Sequence, residues 1–230
     1  MRFPKFPERI LKFLFPAYCS LCGELLPFYR DLLCERCESR LPRNSPACPV
    51  CARTYAGNSP AHPCGACLGE RPFKRVVAPF RYEPPVSDWI RALKFGERFE
   101  LARGLARLFR RFAGPLPEMD LVVPVPLGRK RFQARGYNQS ALLARFMFGK
   151  RPLEALLRTK ETLPQTELTE KERRKNVKGA FAVKPGVDLS GKRVMLVDDV
   201  MTTGATVEEC AWVLLRAGAA EVSVAVIARA

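Results

Sequence analysis

Residues 194–206 read V-M-L-V-D-D-V-M-T-T-G-A-T, and this stretch decides how the chain folds. Four apolar residues make a buried strand. Two adjacent carboxylates follow, Asp198 and Asp199, and then a small hydroxyl-rich turn, Thr202, Thr203, Gly204, Ala205 and Thr206, that opens a helix. A helix N-terminus carries unpaired backbone N–H groups and the positive end of the helix dipole, so such a turn wraps a phosphate. The acids stand one step away, where they hold a sugar's hydroxyls or a magnesium ion. The combination suits a ribose 5-phosphate with a charged neighbour.

Working outward, the chain alternates strands and helices from about residue 76. Residues 76–82 read as a strand, 86–95 as a helix after a proline pair, and 98–113 as an amphipathic helix with arginines opposite its leucines. A continuous apolar strand covers 120–125 and a helix 137–148. A strand is expected at 153–158, then a long polar loop over 159–178. A strand at 193–197, a helix at 204–217 and a strand at 222–228 complete the pattern. The fold class is α/β, a mostly parallel sheet with helices on both faces and ligands at the C-terminal strand ends. Neither a G-x-x-x-x-G-K-[ST] nor a G-x-G-x-x-G fingerprint occurs, which disfavours nucleoside triphosphatase and dinucleotide chemistry.

Residues 1–75 follow different rules. Eight of nine cysteines form four C-x-x-C pairs, Cys19/Cys22, Cys34/Cys37, Cys48/Cys51 and Cys64/Cys67, spaced by eleven, ten and twelve residues. A C-x-x-C knuckle aims two thiolates at one tetrahedral metal, and two knuckles close a structural zinc site. Sequential pairing gives two zinc ribbons; a cross-braced arrangement is the alternative. A disulfide framework is disfavoured, because no secretion signal precedes it and thiols stay reduced in the cytoplasm, the expected compartment. His62 is expected in an exposed loop and Cys210 as a buried small hydrophobe. The module boundary is placed at 75/76, and residues 8–15 read as a short amphipathic helix.

The formal net charge is +16. Residues 1–75 carry 12 basic and 6 acidic side chains (+6), and residues 76–230 carry 27 and 17 (+10), so both parts are basic. Such a balance favours phosphate-bearing partners, small or polymeric, and a soluble surface accounts for part of it. No apolar run is long enough to span a membrane.

The segment 194–206 closely resembles the PRPP-binding signature of type I phosphoribosyltransferases. With V-P-V-P-L from Val123, R-G-Y-N-Q from Arg135 to Gln139, Arg158, Gln165, Arg173, Asn176, Phe181 and the four cysteine pairs, nearly the whole chain resembles the ComF family of ComFC-like competence proteins. The resemblance implies that Asp198 and Asp199 bond the ribose hydroxyls, directly or through magnesium, and that residues 202–206 cradle the 5-phosphate. It implies a pyrophosphate loop at Val125, Pro126 and Leu127, which in such enzymes uses an unusual peptide geometry. Arg158 and Lys160 then contact the leaving pyrophosphate from a loop that closes over PRPP. The run Arg129, Lys130, Arg131 and Arg135, with Asn138 and Gln139, either neutralises pyrophosphate, tracks a nucleic-acid strand or is a solvated loop.

The implied reaction displaces pyrophosphate at the ribose C1, driven by electrostatic stabilisation of the leaving group. Thr202 stands where purine-salvage enzymes carry an acid, so that general base is absent. Any lid over the acceptor is expected from residues 1–75. The implied setting is natural transformation, with single-stranded DNA and a competence helicase as partners. The alternative is a non-catalytic DNA-binding or scaffold protein that keeps a PRPP site.

Overall fold

The strand β6 (Arg193–Met201) lies at the centre of a five-stranded sheet, beside β7 (Glu221–Arg229). The computed structural model describes residues 16–27, 30, 32–57, 59–96, 98–160, 172 and 176–230. The helix expected at 8–15, Gln165 and Arg173 lie outside them. The sheet order is β1 (Val76–Val77), β7, β6, β3 (Leu121–Pro124), with β2 (Phe80–Arg81) also paired to β7, and every pairing is parallel.

Successive strand residues point to opposite faces. Met195 and Val197 of β6, with Ala225 and Ile227 of β7, enter one hydrophobic core; Val194 and Leu196, with Val222, Val224 and Val226, enter the other. Both faces are buried, which is why these strands are apolar without alternation. The first core is completed by α2 (Val86–Phe95), α3 (Leu101–Phe112) and α5 (Gln139–Phe148), and the second by α6 (Ala205–Arg216). Helix α3 buries Leu101, Ala102, Leu105, Leu108 and Phe109 and keeps its arginines outward, as its 3.6-residue pattern requires.

The expected strand at 76–82 is broken in two. Pro79 has no N–H to give to a ladder. The N-terminal module fills the gap: Asn44 donates from its backbone to Pro79 O at 3.0 Å and from its side chain to Ala78 O at 3.0 Å and Ala52 O at 2.9 Å. Arg81 N donates to Pro42 O at 2.9 Å. The outer edge of the sheet is therefore covered by residues 42–44, which protects it from pairing with another chain.

On either side of that crossing lies one cysteine cluster. Cys19, Leu32, Leu33, Cys34, Cys37 and Leu41 belong to the first core; Cys48, Cys51, Ala52 and Cys64 belong to the second. A short helix, α1 (Glu35–Glu38), carries Glu38, whose buried carboxylate meets Arg30 at 2.9 Å and Arg111 of α3 at 3.2 Å. Gly104 of α3 abuts Leu32 so closely that an added Cβ would lie 2.9 Å from the Leu32 Cβ.

Two parts of the sequence reading need correction. Only Leu156–Arg158 of the strand expected at 153–158 is extended, as β4; it pairs antiparallel with β5 (Phe181–Val183), off the main sheet. Three residues are too few to show a period, so β5 had no readable signal. The basic run at 129 is not a loop but a helix, α4 (Arg129–Arg135), ended by Gly136 at φ 77°. Arg, Lys, Gln and Ala are good helix formers and glycine at the C′ position stops them; the charge density hid that pattern.

Candidate functional site

At the C-terminal ends of β3 and β6 opens a cleft of about 830 Å³. Its floor is Asp198 and Asp199. One wall is the turn 202–206 running into α6, another is Val125, Pro126 and Leu127 after β3, and a third is α2 with Tyr82, Arg91, Lys94 and Phe95. The parallel register explains the convergence: Pro124 stands beside Val197, so the loop after β3 begins where the acids begin.

The turn is built for close approach. Gly204 has φ 88°, and a Cβ there would lie 2.5 Å from Met201 Cε and 3.2 Å from Glu208 Oε1. The backbone angle favours glycine, and any larger residue would also have to move the ends of the Met201 and Glu208 side chains. Thr203 Oγ1 accepts from Ala205 N at 3.4 Å, which folds its hydroxyl over the first turn of α6. The loop after β3 is pinned by Val125 N to Val197 O at 2.9 Å and by Asn138 Nδ2 to Val125 O at 3.0 Å. Its peptides are trans: the cis bonds among the described residues are Ser45–Pro46 and Pro84–Pro85.

Each acid already has partners. Asp198 Oδ1 accepts from Ser140 Oγ at 2.8 Å and from Asp199 N at 2.9 Å. Asp199 is 3% exposed, and its Oδ2 lies 2.5 Å from Lys94 Nζ. Burial, reinforced by the Asp199 charge, pushes the Asp198 carboxyl up to about 7 against the opposing pull of Lys94. Burial alone would lower the Lys94 ammonium, but the charge of Asp199 outweighs it and raises the group above the ordinary lysine value. A divalent ion on this carboxylate pair would have to displace or face an ammonium, so the pair as it stands does not fit one. Lys94 was not foreseen, although it sits four residues after Ile90, on the face that also buries Val86 and Leu93. A cation on an apolar helix face was the available signal.

The cleft brings most of the sequence-derived residues together. Arg158, Arg131, Arg135 and Gln139 line it with the acids and the turn, and with Arg91 and Lys94 they give five cationic side chains against two carboxylates. Arg129, Lys160 and Asn138 are not in the lining. Asn138 caps α5, its Oδ1 accepting from Ser140 N at 3.0 Å. Lys160 offers its carbonyl to Arg158 Nε at 3.3 Å. Asn176 does not line the cleft either. No described residue before Tyr82 reaches the lining, so among the described residues the lid expected from residues 1–75 is not seen; Tyr82, Phe95 and Tyr137 are the aromatic residues of the lining.

The module supports the site from behind. Arg229 donates to Cys51 O at 3.3 Å, to Met201 O at 2.9 Å and to Thr202 O. Arg71 pairs with Glu208 in the first turn of α6.

The cysteines form two groups, Cys19/Cys22/Cys34/Cys37 and Cys48/Cys51/Cys64/Cys67, with all four sulfurs of each group within 4.8 Å of one another. The pairing is thus sequential. Cys22 and Cys34 sulfurs are 3.7 Å apart and Cys51 and Cys64 sulfurs 3.6 Å, close to the ~3.8 Å edge of a zinc tetrathiolate with ~2.3 Å bonds. Burial raises Cys19 and Cys48, but backbone N–H donors prevail and bring both to about 6; burial and the neighbouring thiols push Cys37 up to about 12. Crowded thiols of this kind become four thiolates only around a cation. These residues fit structural zinc. His62 stays outside both groups, stacked on Tyr55 at 4.5 Å, and Cys210 is fully buried.

Comparison with known proteins agrees with this geometry. Residues 10–68 match a model described as a double zinc ribbon domain, and residues 146–230 one described as a phosphoribosyl transferase domain. The chain is 38% identical over 224 residues to the DNA utilization protein YhgH of Escherichia coli K12, covering 91% of this chain and 95% of the relative. The chain belongs to the ComF family. Other relatives of this ComF chain include Competence protein F of Haemophilus influenzae, 34% identical over 229 residues (92% and 96% covered), and Competence protein ComFC of Streptococcus pneumoniae, 28% over 217 residues (89% and 96%). No helix among the described residues is long and apolar enough to cross a membrane.

Proposed function

We propose that this ComF-family chain binds PRPP in the cleft, transfers its phosphoribosyl group with release of pyrophosphate, and serves the use of incoming DNA on the cytoplasmic side. One observation supports the reading: an adjacent acid pair, a glycine-containing turn at a helix N-terminus and five cationic side chains share a single cleft. Asp198 and Asp199 take the ribose hydroxyls, and the turn 202–206 takes the 5-phosphate through backbone N–H groups and the Thr203 and Thr206 hydroxyls. Arg131, Arg135 and Arg158 face the pyrophosphate, with amides of the loop at Val125, Pro126 and Leu127. Magnesium, carried in on the pyrophosphate, neutralises part of its charge. The residues' own contribution is to hold C1 exposed to an acceptor and to stabilise the departing oxygens. The described part of the ribbon module supports the turn through the Arg229–Cys51 and Arg71–Glu208 contacts.

Calorimetry with PRPP and magnesium tests this. Saturable binding by the wild type, lost in the Asp198→Asn/Asp199→Asn variant, supports the reading; equal binding by both overturns it. Pyrophosphate release on addition of an acceptor then separates transfer from binding.

A second reading is favoured by exposed aromatic residues, of which Phe95 lines the cleft. Phe95 is 78%, Phe99 61% and Phe132 49% exposed, and Arg98, Arg129, Lys130 and Arg131 neighbour them in sequence. Aromatic faces interleaved with cations suit single-stranded nucleic acid, as the names of the DNA-utilization and competence relatives suggest. A steep loss of oligonucleotide affinity with salt supports it; salt-independent or absent binding removes it.

A further inference from the structure

Lys94 reaches the acid pair from an element that the sugar-and-phosphate motif does not contain. Its helix, α2, is fixed by Val86, Ile90 and Leu93, each fully buried, so the ammonium is delivered by a packed scaffold rather than by a mobile loop. The Lys94 side chain is 23% exposed and that of Asp199 4%, and the 2.5 Å contact between them lies on the cleft floor. Asp198 Oδ1 is meanwhile occupied by Ser140 Oγ and Asp199 N at 2.8 and 2.9 Å. Two neighbouring carboxylates, Asp199 buried and Asp198 half-buried, call for a compensating positive charge.

We propose that the Lys94 ammonium is the resident cation of the acid pair, so that Asp198 and Asp199 hold a ribose diol with no divalent ion bound to their carboxylates. An ammonium has three N–H donors. One serves Asp199, which leaves donors for the sugar's hydroxyl oxygens while the carboxylates accept from its hydroxyl protons. Lysine and acids together therefore present the complete donor and acceptor set for a vicinal diol. A dication at the same place would be repelled by the ammonium and would have to compete for oxygens already in use. This deepens the PRPP reading and rests on it for the identity of the sugar. Magnesium that would arrive with the pyrophosphate belongs to the substrate and lies outside this proposal.

The test uses the full chain loaded with zinc. Manganese is titrated into the ligand-free protein and free ion is followed by electron paramagnetic resonance. Lys94→Met should bind manganese at least about tenfold more tightly than the wild type, and adding Asp199→Asn should remove the gain. Lys94→Gln gives the same comparison if Lys94→Met does not fold. Equal manganese affinity with and without the lysine overturns the proposal. A second arm measures ribose 5-phosphate, which lacks pyrophosphate, by calorimetry with and without added magnesium. The wild type should bind equally well in both, and Lys94→Met should lose about tenfold without magnesium. Binding by the wild type only when magnesium is present overturns the role of Lys94 and leaves the ribose-phosphate site standing. No binding of ribose 5-phosphate in either condition removes the PRPP reading instead, and the manganese arm still decides what Lys94 does.

Discussion

Arg229 ties Cys51 of the second cysteine cluster to the turn 202–206, its guanidinium donating to Cys51 O at 3.3 Å, to Met201 O at 2.9 Å and to Thr202 O. The metal knuckle and the turn thereby share one buried cation. Arg229→Met should weaken PRPP binding about tenfold while its helices and sheet persist, because a turn carbonyl loses its anchor without losing the sheet beneath. Calorimetry alongside circular dichroism checks this. Unchanged affinity in a folded variant would show the link to be idle.

Zinc removal should act at a distance for the same reason. Two zinc ions per chain are expected from thiol titration with metal release. Because the two clusters contribute residues to both cores, stripping the metal should melt the protein in one cooperative transition rather than release a loose N-terminal module. Two separated calorimetric transitions would contradict this.

The raised Asp198 carboxyl makes a signed prediction. Its folded value, about 7, lies above the ordinary 3.8, so the folded chain holds more protons than the unfolded one between those values. The penalty from Asp198 is absent below the lower value, grows as pH rises, and is fully present above the upper one. Asp198→Asn should therefore raise the melting temperature at pH ~8 by a few degrees and leave it nearly unchanged at pH ~4, while PRPP affinity falls. A melting temperature that drops at high pH would refute the assignment of the penalty to this acid.

At Gly204, alanine meets both a φ of 88° and Met201 Cε at 2.5 Å. Gly204→Ala should cost about 1–2 kcal/mol of stability, measured by urea titration, and reduce phosphate binding at least about tenfold. Retention of wild-type affinity would mean that the turn does not approach its ligand closely.

Helix α3 offers the opposite kind of glycine. On propensity alone Gly104→Ala would gain up to about 1 kcal/mol, yet the new methyl would meet the Cβ of Leu32, which sits next to the backbone and cannot swing away. Overpacking of this sort costs about 1–3 kcal/mol, so the substitution should destabilise. Denaturant unfolding decides the sign.

Much of this was readable beforehand. The alternation of apolar strands and amphipathic helices fixed the α/β class, and helix α2 spans the expected residues 86–95. The cysteine spacing pointed to two four-thiolate clusters, while the choice between sequential and cross-braced pairing waited for the structure. The acids and the turn were legible because their chemistry lies in one contiguous stretch. What stayed hidden came from other elements. Lys94, Ser140 and Arg229 reach the site from α2, α5 and β7, and only packing brings them there. Strand β5 was too short to carry a period, and the broken first strand depends on Asn44 filling the gap beside Pro79.

The fit between Leu32 and Gly104 also bears on how this protein can change over time. A ribbon grafted from a distant relative would arrive with a different side chain facing α3 and find either a collision or a hole. The two halves must then drift together, each substitution at one side awaiting an answer at the other. Hybrids made by swapping the N-terminal module should recover solubility when positions 32 and 104 are exchanged as a pair.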